Sequence, residues 1–118
     1  MFRNLFAPAT APAVATIRPA ELQQRLANRE KLFMLDVRSS DEYAYDGHIA
    51  GARLIPLPVL STRLEELPKD TPIVCICRSG NRSNVAAELL VRQGFSNVIN
   101  MSGGMMGWQQ AGLPMQRG

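Results

Sequence analysis

A chain of 118 residues, 46% hydrophobic and 19% charged, has the size and composition of one soluble compact domain with a real core. Its net charge of +3 excludes the strongly basic footprint of a nucleic-acid binder but suits a small anionic substrate. No apolar run reaches the ~18 residues of a helical membrane span, and no membrane association is expected.

The two cysteines, Cys75 and Cys77, are separated by one residue. On an extended strand they point to the same face, a poor geometry for a mutual disulfide. With a single histidine, His48, they do not make up a zinc ligand set, so no metal and no cofactor are expected. Reduced thiols point to the cytoplasm. Residues 1–14 read as a flexible Pro/Ala-rich leader, in which Pro8 and Pro12 interrupt any apolar helix of the kind a secretory signal needs. Residues 15–118 form the folded domain.

Along that domain, residues 15–17 suit a short strand. Pro19 fits a first helical position, and Leu22 and Leu26 give the helix after it an apolar face. Residues 32–37 are a near-continuous apolar run ending in charge, the pattern of a strand buried on both faces. Ser40 is placed to cap a short helix that Gly47 ends. A strand at 53–55 precedes Pro56. Leu60, Leu64 and Leu67 predict a helix over 59–67, stopped by Pro68. Residues 72–77 are a third buried strand. Val85, Ala86, Leu89 and Leu90 mark the apolar face of a helix over 81–93, capped by Gly94. A brief strand at 97–100 follows, and Gly103-Gly104 opens a last short helix carrying Trp108. Strands that alternate with helices predict an α/β domain with a largely parallel sheet covered on both faces, and ligands in such domains bind beyond the carboxyl ends of the strands.

The strand ending at Cys77 leads into the loop C-R-S-G-N-R-S. Cys77 stands at the edge of the core, where a thiol can be reached. It faces a helix N-terminus, and Arg78 and Arg82 lie within the same turn. Gly80 lets the loop curl, and an arc of backbone N–H groups makes an anion nest. Ser79, Gly80, Asn81 and Ser83 are expected to serve mainly through those backbone donors. The Ser83 hydroxyl is placed either to reach the sulfur or to cap the helix. The nest favours a thiolate, a persulfide anion or an incoming oxyanion, which makes Cys77 the candidate nucleophile and Arg78 the group that meets an anionic donor. Cys75 reads as a buried strand residue, His48 as a structural turn residue, and Trp108 with Met101, Met105 and Met106 as core or pocket-rim packing.

Five fragments in this order, L-D-V-R at 35–38, D-E-Y at 41–43, G-H-I-A-G-A at 47–52, the C-R-S-G-N-R-S loop and S-G-G-M-M-G-W at 102–108, resemble single-domain rhodanese-like proteins over about residues 16–115. The resemblance implies a five-stranded, mostly parallel sheet with helices on both faces. It also implies an enzyme that moves sulfane sulfur from thiosulfate or a similar donor to cyanide or a thiol, through a persulfide on Cys77. Within the same resemblance, Asp36 is the structural support that pairs with Arg82, and Arg38 has no assigned part. A second reading is a persulfide carrier that hands sulfur to a protein partner. A third is a phosphatase or arsenate reductase, but four residues separate Cys77 from Arg82 where the phosphatase signature has five.

Overall fold

The computed structural model describes residues 13–118, so most of the expected leader lies outside the described residues. The elements follow in the order β1 (Ala15–Ile17), α1 (Pro19–Ala27), β2 (Phe33–Asp36), α2 (Ser40–Tyr45), β3 (Arg53–Leu54), α3 (Leu57–Leu60), a 3-10 turn (Leu64–Glu66), β4 (Ile73–Ile76), α4 (Asn81–Arg92), β5 (Val98–Met101) and α5 (Gly104–Gln110). The five strands form one sheet in the order β1-β5-β4-β2-β3, and every neighbouring pair is parallel. This is the α/β fold with a covered parallel sheet that the alternating pattern predicts, with the five strands that the resemblance implies.

The central strand β4 shows why apolar runs form such a sheet. Ile73, Cys75 and Cys77 alternate with Val74 and Ile76, and both sets are buried, because helices cover each face. On one face, Leu35, Val37, Cys75, Cys77 and Val98 pack beneath Leu60 of α3 and Ala86, Ala87 and Leu90 of α4. On the other, Met34, Val74, Ile76, Ile99 and Met101 pack against Leu22 of α1 and Met105 and Trp108 of α5. Trp108 is fully buried and its Nε1–H donates to the Pro114 carbonyl at 2.8 Å, which satisfies the indole's one donor.

Three local expectations are corrected. The helix over 59–67 is split into α3 and the 3-10 turn. The Thr62 hydroxyl donates to the Val59 carbonyl at 2.8 Å, the acceptor that an α-helical Arg63 N–H would need, and the chain tightens into a turn with Arg63 N–H on the Leu60 carbonyl. The cap of α2 is Ser39, not Ser40. Its hydroxyl accepts the Glu42 N–H while the Glu42 carboxylate accepts the Ser39 N–H, a reciprocal capping box. On α4, Val85 is 52% exposed, and the buried stripe is Ser83, Ala86, Ala87 and Leu90. A serine at the first position of that stripe takes the inward place because its hydroxyl finds polar partners below it.

Candidate active site

Cys77 follows β4 on the face covered by α4, and the loop after it curls back over the sulfur. Gly80 makes that curl with a φ of +105°, a conformation that only glycine adopts freely, and it is the N-cap of α4. Its N–H donates to Cys77 Sγ at 3.1 Å. The Cys77 thiol donates to Ser83 Oγ at 3.3 Å. The loop's carbonyls are drawn the other way. At the start of α5, Met105 N–H donates to the Cys77 carbonyl at 2.8 Å and Met106 N–H to the Arg78 carbonyl at 3.0 Å. The N–H groups are thereby left facing the sulfur, and that segregation of donors from acceptors makes the loop a nest.

The electrostatic result is a thiol more acidic than usual. Burial pushes the Cys77 thiol up, but the Ser83 hydroxyl, when it turns to the sulfur, and the N–H groups of Ser83, Gly80 and Ser79 together pull it below the ordinary thiol range. Cys75, on the same face and fully buried without such donors, is pushed up to about 12 by burial, with a smaller contribution from Cys77. Both cysteines are unpaired. Strand β4 and the residue after it therefore carry two thiols of opposite character, and of these Cys77 has the environment of a nucleophile.

The expectation of a readily reached thiol is corrected: Cys77 is 1% exposed. The loop lies over it and leaves the residue almost no contact with solvent. Arg78 and Ser79 are exposed on the outside of the loop, Gly80 is buried, and Asn81 is exposed in the first turn of α4. Arg78 lines a cleft of about 260 Å³ beside the loop, together with Arg38, Tyr45, Met106, Gln109 and Arg117. Cys77 itself is not among the residues lining that cleft.

The expected pairing of Asp36 with Arg82 is also corrected. Asp36 pairs with Arg38: Nη2 donates to Oδ2 at 2.7 Å and Nε to Oδ1 at 2.9 Å. Two residues apart on extended backbone, the two side chains share a face, and Arg38 extends further to the Gly47 carbonyl at 2.9 Å. Arg38, which the sequence left without a part, is thus a buried brace between β2 and the Gly47 turn. Arg82 turns instead to Glu42 of α2, donating from Nη1 and Nη2 to the two carboxylate oxygens at 2.8 Å each. The Arg82 guanidinium holds the Glu42 carboxyl at about 2, against a smaller opposing effect of burial.

Of the expected site residues, Cys77, Gly80 and Ser83 come together around the sulfur, with the Ser79 N–H adding to them. The Ser83 hydroxyl serves the sulfur and not the helix cap. His48 is held in its turn, with Nδ1 2.8 Å from the Tyr43 carbonyl and its ring stacked on Tyr43 at 3.7 Å. Met106, expected as core or pocket-rim packing, is 43% exposed on the cleft. Sequence reading missed Asn100, whose Oδ1 accepts the Ser83 hydroxyl at 2.5 Å and whose Nδ2 donates to the Gly80 carbonyl at 3.2 Å. Its signal was available: on β5, position 100 falls on the same face as buried Val98, where an apolar residue belongs.

Residues 18–111 match the rhodanese-like domain family. The chain is 39% identical over 102 residues to a sulfurtransferase of Allochromatium vinosum, covering 86% of this chain and 94% of that protein. It is equally 39% identical over 98 residues to a putative sulfur carrier protein, YrkF, of Bacillus subtilis, covering 83% of this chain and 52% of that protein. Among solved structures, a rhodanese-related protein of Thermoplasma volcanium superposes with a TM-score of 0.79 at 30% identity, over 86% of this chain and 97% of that one. With its parallel sheet, its curled cysteine loop and this extent of similarity, the chain belongs to the rhodanese-like domain family, among sulfur-transferring and sulfur-carrying relatives.

Proposed function

We propose that the protein is a sulfurtransferase that takes sulfane sulfur from thiosulfate, or a donor of like chemistry, and passes it to a thiol or cyanide through a persulfide on Cys77. The observation that carries this reading is the Cys77 sulfur itself, acidified by backbone N–H donors beside the Ser83 hydroxyl, under a loop whose Cys77 and Arg78 carbonyls are held by α5. Such a set of donors stabilises a bare thiolate and, after loading, the terminal sulfur anion.

In the first step the Cys77 thiolate attacks the outer sulfur of thiosulfate. A new S–S bond forms, the bond to the sulfonate breaks, and sulfite leaves with its electron pair. The acceptor thiolate or cyanide then attacks the terminal sulfur and Cys77 leaves as thiolate. Sulfite is a competent leaving group, so the first step requires no general acid. With Cys77 1% exposed, the outer sulfur of the donor reaches Sγ as the loop opens. Arg78, exposed on the loop and lining the adjacent cleft, supplies positive charge for the sulfonate.

Delivery of the persulfide to a protein acceptor is the second reading, favoured by the similarity to the putative sulfur carrier. Phosphatase or arsenate reductase chemistry has less support: the Arg82 guanidinium is committed to Glu42 at both ends of its fork and not to the interior of the loop. The test is the intact mass after thiosulfate treatment. A gain of one sulfur, absent in Cys77→Ala, is the expected result. No gain, together with phosphate release from an aryl phosphate, would overturn the reading. Thiocyanate formation with cyanide separates turnover from carriage alone.

A further inference from the structure

We infer that Asn100 is a positioning residue that governs the protonation of Cys77 by holding the hydrogen of the Ser83 hydroxyl. Four contacts close a circuit around the sulfur: Gly80 N–H to Sγ at 3.1 Å, Sγ to Ser83 Oγ at 3.3 Å, Ser83 Oγ to Asn100 Oδ1 at 2.5 Å, and Asn100 Nδ2 to the Gly80 carbonyl at 3.2 Å. Ser83 is fully buried and Asn100 is 7% exposed, so water does not supply substitute partners.

The direction of each hydrogen follows from what each atom can do. The Gly80 carbonyl only accepts, so the Asn100 amide must face it with Nδ2 and present Oδ1 to Ser83. Oδ1 has no hydrogen to give, so the single hydroxyl hydrogen of Ser83 lies between the two oxygens. Ser83 Oγ then offers Cys77 a lone pair, which suits a thiol S–H and opposes a thiolate. To stabilise a thiolate the hydroxyl must rotate to the sulfur, and that rotation leaves two oxygens facing each other at 2.5 Å without a hydrogen. Asn100 therefore weighs against the bare thiolate. In the persulfide the charge resides on the outer sulfur, Sγ is a bridging atom, and the hydroxyl can return to Asn100. This last statement rests on the sulfur-transfer reading; the effect on the free thiol does not.

Other charges near the sulfur are already engaged or exposed. Asp36 and Arg38 of β2 pair with each other, Arg82 of α4 pairs with Glu42 of α2, and Arg78 is exposed. On β4, Cys75 stays protonated, while β5 and α5 bring no charged residue. The hydroxyl is the mobile element that remains.

The experiment measures the thiolate fraction of Cys77 against pH by its ultraviolet absorbance, in the unmodified protein and in Asn100→Leu and Asn100→Ala, each with and without Ser83→Ala. With the competing acceptor gone, the hydroxyl is free to donate to the sulfur. The expected thiolate fraction at a fixed pH below the transition rises about tenfold, as when a charge-assisted hydrogen bond replaces a neutral one. In the Ser83→Ala background the same change at Asn100 has no effect. A merely structural Asn100 gives the opposite sign, because loss of the Gly80 brace moves the Gly80 N–H off the sulfur. A fall or no change in thiolate fraction, or an equal rise without the hydroxyl, overturns the inference. A second measurement needs no change at position 100: the Asn100 side-chain amide resonance of the unmodified protein moves as Cys77 titrates, and Ser83→Ala abolishes the movement. A resonance that stays still, or moves equally in Ser83→Ala, overturns it as well. Neither readout involves sulfur transfer, so failure here is distinct from failure to gain sulfur mass.

Discussion

Arg82 grips Glu42 with both prongs of its guanidinium, and the same carboxylate closes the capping box of α2 on the Ser39 N–H at 3.0 Å. One carboxylate thus ties the first turn of α4, where the cysteine loop ends, to the first turn of α2. The pair is partly exposed, which limits its contribution to about 0.5–1 kcal/mol after solvent screening. With the folded Glu42 carboxyl at about 2 and its ordinary value at 4.5, the stabilisation is complete above the ordinary value and is lost as the pH falls toward 2. Glu42→Gln is expected to lower the unfolding free energy at neutral pH by about that amount and to flatten part of the acid loss. Denaturant titrations at neutral and acid pH check this. An unchanged acid slope would count against the pair.

The pair of Asp36 and Arg38 is a different case, because both residues are at most 1% exposed. Removing one partner leaves a buried charge with nothing to balance it. Arg38→Met is expected to destabilise the fold by about 3–5 kcal/mol, and Asp36→Asn by a similar amount. Replacing both with apolar residues of matching size should cost less than the sum of the two. The three unfolding midpoints decide it, and simple additivity would contradict the pairing described here.

The pattern of these residues shows where sequence reading succeeds. The succession of strands and helices, the parallel sheet and the place of the cysteine loop follow from local features: the apolar runs at 32–37 and 72–77, glycine at 80, and a helix start directly after it; the strand order does not. Burial of Ser83 rather than Val85 was not legible, because the α4 stripe is set by which polar groups lie beneath it. The partner of Arg82 was not legible either, because several carboxylates lie along the chain and only the docking of α2 near α4 selects Glu42. That of Asp36 was legible: Arg38, two residues on along extended backbone, shares its face. Asn100 was overlooked through being counted as the end of its strand, although its register opposite Cys75 on β4 already placed it next to the loop.

Arg78 and Arg82 are both arginines of the loop, yet they are expected to fail differently. Arg78 is exposed and lines the cleft, whereas Arg82 is engaged with Glu42. Arg78→Ala is expected to raise the KM for an anionic donor several-fold, about 1 kcal/mol of lost attraction, with an unchanged melting temperature. Arg82→Ala is expected to lower the melting temperature as well. Equal melting temperatures for the two variants would remove this division of roles.

Reactivity of the two cysteines offers a direct comparison. Cys75 is pushed up to about 12, while the donors around Cys77 hold its thiol below the ordinary range. A small alkylating reagent near neutral pH is expected to modify one residue, Cys77, with a rate that rises as pH approaches its transition and levels off below the ordinary thiol value. Because Cys77 is almost wholly covered by its loop, a bulky reagent of equal intrinsic reactivity should be slower by at least about tenfold, the cost of ~1.4 kcal/mol to open the loop. Peptide mapping locates the label. Modification at Cys75, or indifference to reagent size, would contradict the geometry.

Gly104 is where the loop and α5 come closest. A Cβ there would lie 2.4 Å from the Arg78 carbonyl oxygen and 2.6 Å from that of Cys77, and the residue has a φ of +58°. These are the carbonyls that the first N–H groups of α5 hold away from the sulfur. Gly104→Ala is therefore expected to push the loop off α5, which lets its carbonyls turn inward and raises the acidity constant's midpoint of the Cys77 thiol toward the ordinary range. Backbone strain alone amounts to about 1–3 kcal/mol. Gly112 separates the two effects: its φ is +70°, but nothing lies within 4 Å of a Cβ placed on it. Gly112→Ala should lose stability through strain and leave the thiol untouched. Thermal unfolding together with alkylation rates distinguishes them, and a Gly104→Ala protein with normal Cys77 reactivity would show that α5 does not hold the nest in shape.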